Sequence, residues 1–212
     1  QCGGFERYLE HFQKNVWHYY QMYRPEQLAN VPEALVLDSA VDTSELLQQT
    51  LNSCLDASIL PKAGKDGHPE NPVGGGIGSH PKAERRVIVI GVGGSSASGK
   101  TTLAKSMAKK LGSPLEVFNA DYYLDFLRVK QVGSWETPAG IAWDNLRAAL
   151  EGVMDTLAKA ECVPPELVIG GFSRGRLDLV PKDGAGKILG AEPVVILIEG
   201  FLLFHDKKLC DM

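Results

Sequence analysis

The sequence predicts an α/β fold, a doubly wound parallel sheet with helices on both faces, and three observations carry that prediction. Residues 87–90 read Val-Ile-Val-Ile, a β-branched run suited to a strand buried on both faces. The stretch from Gly94 to Thr101 reads Gly-Ser-Ser-Ala-Ser-Gly-Lys-Thr, which fits G-x-x-x-x-G-K-[ST] at every position. Beyond it, apolar runs alternate with segments of helical period, as strands joined by crossover helices require.

In chain order, Phe5, Leu9, Phe12, Val16, Tyr19 and Tyr23 recur at three- and four-residue intervals and predict one face of a helix. A second helix is predicted over 44–59 from Leu47, Leu51, Cys54, Leu55 and Ile59, with Asp42 or Thr43 as its cap and Glu45 in a capping-box position. Residues 1–60 thus read as a helical extension without recognisable chemistry, suited to packing or to a protein partner. Residues 61–85 read as a flexible linker. From Pro61 to Pro81 they are dominated by Pro, Gly, Lys and His and offer too little apolar surface to offset the entropy of ordering.

Residues 86–212 then hold the alternating pattern. Strands are expected at 87–92, 115–118, 167–169 and 194–198, and helices at 101–111, stopped by Gly112, and 144–158. The Gly/Lys/Asp-rich stretch 170–192 reads as an irregular insertion, with Arg174 and Arg176 on an exposed loop.

Composition narrows the function classes. The 212 residues are 44% apolar and 23% charged with a net charge of -4, as in soluble globular proteins, and no apolar run is long enough to span a bilayer. Neither a membrane nor a nucleic acid is expected as partner, since no basic stripe with interleaved aromatics is present. Cys2, Cys54, Cys162 and Cys210 lack the paired spacing of a zinc site and read as reduced thiols of a cytoplasmic-type compartment, with the nucleus left open. The chain starts at Gln1 and its last apolar run lies close to Met212, so it reads as clipped at both ends.

The motif has a physical meaning in this setting. Its glycines allow successive backbone N–H groups to curl around phosphate, and the helix that follows adds its positive end. Lys100 suits the β- and γ-phosphates of ATP and the Thr101 hydroxyl suits Mg²⁺, while Ser95, Ser96, Ala97 and Ser98 are small enough for a crowded loop. The nucleotide-binding set is therefore Gly94, Ser95, Ser96, Ala97, Ser98, Gly99, Lys100, Thr101 and Thr102. A dinucleotide fingerprint starting at Gly91 and Gly93 fails, because Ser96 stands where it needs glycine.

Three further segments, Phe118-Asn119-Ala120-Asp121-Tyr122-Tyr123, Ala142-Trp143-Asp144-Asn145-Leu146 and Ile198-Glu199-Gly200-Phe201-Leu202-Leu203-Phe204, join this loop in one resemblance. Together they resemble the uridine kinase-like P-loop kinases, and within them the nicotinamide riboside kinases, over roughly residues 86–209. The resemblance implies a P-loop NTPase-type domain, ATP and Mg²⁺ as cofactors, and phosphorylation of a ribonucleoside hydroxyl. It implies Asp121 as the base that takes the substrate proton, with Ala120 at that position if the alignment shifts by one. Glu199 joins Thr101 at the metal, and Lys100, Asp121 and Glu199 form the catalytic set.

Trp143 and Asp144 are implied to hold the nucleoside with Asp121, although Asp144 also suits a helix cap. The family continues with lid arginines and further strands that this sequence does not show after Met212, so the domain is expected to be incomplete and its phosphate-loop strand to stand at a sheet edge. Uridine or cytidine kinases and other small-molecule P-loop kinases share the loop. A nucleotide-binding regulatory or scaffold protein without phosphoryl transfer is the reading from a different class.

Overall fold

The computed structural model describes residues 3–38, 40–56, 85–171 and 174–212. Its first helical segment has three parts, α1 (Gly3–His11), a π-helical stretch (Phe12–Trp17) and α2 (His18–Asn30). Phe12, Val16, Tyr19 and Tyr23 are half-buried, as the periodicity predicts, whereas Leu9 is exposed. The end of α2 is fastened by the Asn30 side-chain amide, which donates to the carbonyls of Phe204 at 2.9 Å and His205 at 2.8 Å. Tyr23 meets the His205 ring edge-on at 5.7 Å.

Next comes α3 (Thr43–Asp56), where the Asp42 carboxylate accepts the Ser44 N–H at 2.8 Å and settles the cap on Asp42. Residues 57–59 of the expected helix, and the expected linker except Arg85, lie outside the described residues. Arg85 is tightly held. Its guanidinium donates to the carbonyls of Gly190, Leu157 and Ala160 at 2.8 Å and of Leu189 at 2.9 Å.

The remaining elements are β1 (Val87–Gly93), α4 (Lys100–Leu111), β2 (Phe118–Asn119), α5 (Phe126–Val132), α6 (Trp143–Lys159), β3 (Val168–Gly170), β4 (Arg176–Asp178), β5 (Val194–Gly200) and α7 (Lys207–Cys210). β1, β5 and β2 form a parallel sheet in that order, so β5 is central and β1 lies at an edge. All seven residues of β5 are buried.

Strand alternation sends successive side chains to opposite faces. On one face Val194, Ile196 and Ile198 belong to a core with Leu146, Leu150, Val153 and Leu157 of α6. On the other, Val195 and Leu197 pack with Ile88, with Leu103, Ala104 and Met107 of α4, and with Leu46 of α3. Each fully buried leucine contributes about 1.5–3 kcal/mol, which is why this double-sided strand anchors the fold.

Two expectations need correction, and one element was not expected at all. The strand expected at 115–118 pairs only at Phe118–Asn119. Leu115 and Val117 are buried, but the Glu116 N–H goes to the Leu179 carbonyl at 2.8 Å rather than to a neighbouring strand. The short strand expected at 167–169 does not extend the parallel sheet. It is β3, which pairs antiparallel with β4, a strand inside the expected irregular insertion. Finally, α5 went unforeseen, since its seven residues span too few turns to show a period.

Among the described residues no helix is long and apolar enough to cross a membrane. Cys54, Cys162 and Cys210 are free thiols.

Candidate functional site

β1 runs into the phosphate-loop motif, and α4 begins at Lys100, one residue earlier than the sequence predicts. Gly99 takes φ 85°, a left-handed conformation that glycine adopts without strain. Ala97, at φ 63°, is the one non-glycine residue with positive φ among the described residues. A Cβ on Gly94 would stand 2.8 Å from Ser98 Oγ, so the Ser98 hydroxyl would have to turn away to admit one. The Ser98 N–H closes the turn on the Ser95 carbonyl at 3.2 Å. No side chain caps α4, so its positive end and first-turn N–H groups are available to an anion.

The glycines of β1 have a different reason. A Cβ on Gly91 or on Gly93 would lie 2.7 Å from ring atoms of Phe204. The Gly-x-Gly spacing before the loop therefore admits an aromatic ring against the strand.

At the carboxyl end of the sheet, the register sets Glu199 beside Val92 on one side and Asn119 on the other. Glu199 is 2% exposed, and its Oε1 accepts from Thr101 Oγ1 at 3.0 Å and from Asn119 Nδ2 at 2.8 Å. The other end of the Asn119 amide, Oδ1, accepts the Asp121 N–H at 2.7 Å. One connected set thus joins the first turn of α4, the end of β5 and the turn after β2. Asn119 is a residue sequence reasoning missed, although Asn two residues before Asp121 suits a side-chain turn closing a strand.

Asp121 is the second residue of a partly buried 3₁₀ turn, Ala120–Tyr123. Its Oδ1 is buried and makes no hydrogen bond. Burial pushes its carboxyl above the usual range, opposed by the positive charges of Lys100 and Arg174. Ala120 instead packs toward Gly200, where an added Cβ would lie 2.9 Å from the Ala120 Cβ. Tyr123 stacks on Phe118 at 5.9 Å, and burial pushes its phenol up to about 12. It is core packing.

Burial likewise pushes Glu199 upward, countered first by Lys100 and then by the Thr101 hydrogen bond. A third carboxylate, Glu136, joins them unforeseen. It accepts from Ser96 Oγ at 2.6 Å, and its pKa is raised by burial and by the Asp121 charge while Ser96, Lys100 and His11 pull the other way. A loop glutamate next to Thr137-Pro138 has no periodic signal to reveal it. Lys100 itself donates a long 3.4 Å bond to the Ser95 carbonyl.

The donor set suits a hard divalent cation. A hydroxyl and a carboxylate lie 3.0 Å apart, Lys100 acts electrostatically on Asp121, Glu136 and Glu199, and Asp121 Oδ1 lacks a partner. Magnesium bound together with phosphates takes only one or two protein carboxylates. Among the described residues no group of three His, Cys, Asp or Glu side chains is disposed to hold a metal on its own.

The other two expected residues do not join this network. The Trp143 indole N–H donates to the Pro138 carbonyl at 3.0 Å, and its ring lies 6.1 Å from that of His205. Asp144 is not the cap of α6, whose N-cap is Ala142. It sits in the first turn, almost fully exposed, and pairs with Arg147, which also binds Asp206 at 2.5 Å. Trp135 is half exposed and meets Phe126 edge-on at 5.3 Å.

No protein-family model matches the sequence, and no solved structure matches it. Among curated proteins, the nicotinamide riboside kinase of Eremothecium gossypii is 29% identical over 137 residues. That alignment takes in 60% of this chain and 56% of the relative, so the chain spans little more than half the length of the kinase to which it is similar.

Proposed function

We propose that this chain belongs to an ATP- and Mg²⁺-dependent kinase that phosphorylates a ribonucleoside hydroxyl, with nicotinamide riboside preferred to uridine or cytidine. The observation that carries the reading is the hydrogen-bonded set Thr101–Glu199–Asn119–Asp121 beside an uncapped phosphate-loop helix. The likeness to a protein named nicotinamide riboside kinase supports the choice of nucleoside. In this reading residues 86–212 form a doubly wound P-loop domain, residues 61–85 link it to the helices of 1–60, and the protein works in the cytoplasm.

The loop from Gly94 to Thr102 holds the triphosphate through backbone N–H groups, and Lys100 neutralises its terminal charge. Thr101 and Glu199 are the residues that would hold magnesium, which when bound offsets charge on the phosphates during transfer. Asn119 fixes the Glu199 carboxylate and the Asp121 backbone together, so the metal-side and base-side carboxylates keep one spacing. Asp121, unpartnered at Oδ1, accepts the hydroxyl proton as the nucleoside oxygen attacks the γ-phosphorus and ADP leaves. Trp143 offers a flat apolar ring to the base, and Asp144 an exposed carboxylate to the ribose diol.

The test is ADP release with Mg-ATP across nicotinamide riboside, uridine and cytidine, beside Lys100→Ala. Turnover that requires a nucleoside, is fastest with nicotinamide riboside and disappears in Lys100→Ala is expected. ATP binding without release of ADP under any nucleoside would refute the proposal in favour of a nucleotide-binding regulator.

A further inference from the structure

The helical segment of residues 3–30 meets the candidate site at three places, and its two ends are held differently. At the α2 end, the Asn30 amide bonds two carbonyls just beyond β5, Glu26 Oε2 lies 3.2 Å from His205 Nδ1, and Tyr23 packs edge-on against the His205 ring. The Tyr23 hydroxyl also lies 3.5 Å from Thr137 Oγ1, next to Glu136. At the α1 end the contact is loose. Leu9, Phe12, Gln13 and Trp17 face Ser95, Ser96, Ala97 and Ser98 across a cleft of about 400 Å³, and Leu9 and Trp17 stay 43% and 42% exposed. Between the fastened end and the loose one lies the π-helical stretch Phe12–Trp17, a backbone form that is rare and is frequent at functional sites.

The wall that faces the phosphate loop has the wrong chemistry for a phosphate clamp. Among the described residues that line the cleft none is a cation, whereas clamps on phosphate use Arg or Lys. Phosphate oxygens turned toward Leu9, Phe12 and Trp17 would lose water without gaining a donor, which costs free energy. Glu136 adds a charge of the same sign as phosphate. Its carboxylate takes the Ser96 hydroxyl at 2.6 Å and lies within electrostatic reach of Lys100, the side chain suited to phosphate, and of His11 on the helical segment. A polyphosphate seated on the loop therefore competes with the apolar wall and with Glu136 together.

We propose that residues 3–30 are an autoinhibitory cover: closed over the loop they disfavour polyphosphate there, and nucleotide binding swings the α1 end away about the π-helical stretch while α2 stays fastened. The proposal rests on the phosphate-loop part of the kinase reading and adds regulation to it. Only the competent fraction of the chain, with the cover open, takes up nucleotide at full affinity. Coupling between two sites is reciprocal, so a change that loosens the cover tightens the nucleotide, and the nucleotide in turn loosens the cover.

Calorimetric titration of the full chain with ATP and with inorganic tripolyphosphate, each with Mg²⁺, measures the obstruction. Asn30→Ala, which frees the fastened end, and Trp17→Ala, at a half-exposed position where truncation leaves the fold intact, are each expected to tighten both ligands about tenfold. Amide hydrogen exchange over residues 5–17 is expected to quicken when Mg-ATP is added. Weaker binding of either ligand in Trp17→Ala would overturn the proposal by showing that the wall supports the ligand. Unchanged binding in Trp17→Ala, or slower exchange over residues 5–17 with Mg-ATP, would overturn it equally. Lys100→Ala keeps the two readings apart. If both ligands need Lys100 but ignore Trp17, the cover falls and the phosphate-loop reading stands; if neither ligand responds to Lys100, both fall.

Discussion

The Thr101 hydroxyl donates to the Glu199 carboxylate at 3.0 Å, across 98 residues of sequence. This bond ties the first turn of α4 to the end of the central strand and brings together the two side chains proposed to hold magnesium. Thr101→Ser keeps the oxygen and should retain most activity. Thr101→Ala removes it and should lower kcat/KM about 10–100-fold, as loss of a metal-site partner does. Steady-state kinetics at several Mg²⁺ concentrations check this, and equal activity of the two variants would count against a metal-side role.

Glu199 should trade stability for function. Burial raises its folded pKa above the unfolded value. Stability from such a group is present below the unfolded pKa and lost as pH rises through the folded one. Above that pH the metal-free chain therefore carries Glu199 as a buried carboxylate at a cost. Glu199→Gln keeps an oxygen for Thr101 and Asn119 without that charge, so thermal denaturation should show a higher Tm at pH 7 and a smaller gain at pH 4, with phosphorylation lost.

Asp121 should set the acidic limb of the pH–rate profile. A base works only when deprotonated, and burial holds its proton to higher pH than for an ordinary aspartate. Activity should thus fall, as pH decreases, at a value above the usual carboxylate range. Arg174→Ala removes a charge that lowers this pKa and should move the limb to still higher pH. Asp121→Ala should reduce kcat about 10²–10⁴-fold.

The Phe204 ring occupies the space that side chains at Gly91 and Gly93 would need. Gly91→Ala should destabilise the chain by about 1–3 kcal/mol through overpacking. Phe204→Leu in the same chain should recover part of the loss. Denaturant titration of both variants tests the pairing, and simple additivity of the two substitutions would show that the ring and the glycine are not in conflict.

Arg85 donates to four backbone carbonyls from two segments distant in sequence. Arg85→Ala should cost about 2–4 kcal/mol. Arg85→Lys should recover little, because an ammonium cannot reproduce the forked guanidinium geometry. A lysine variant as stable as the parent would reduce these bonds to incidental contacts.

By itself the sequence determined the strand, loop and helix around Gly94–Thr101, because that chemistry is local. Glycines permit the turn, β-branched residues favour the buried strand, and a three- and four-residue apolar stripe with a terminal Gly112 defines the helix. It also placed Glu199 at the end of an apolar run, and the cap of α3 on Asp42 or its neighbour.

Tertiary structure alone decided which side chains meet. Asn119 bridges Glu199 and Asp121 only because β2 aligns with β5 in one parallel register. Glu136 reaches Ser96 from a loop without periodicity, and β3 turns to β4 because antiparallel partners lie six to ten residues apart in a stretch that composition marks as irregular. The π turn that sets Phe12 and Trp17 against the phosphate loop is equally invisible to a periodicity of 3.6. Hydrophobic period and turn chemistry act between neighbours in the chain, whereas registers and side-chain bridges depend on the packing of the whole.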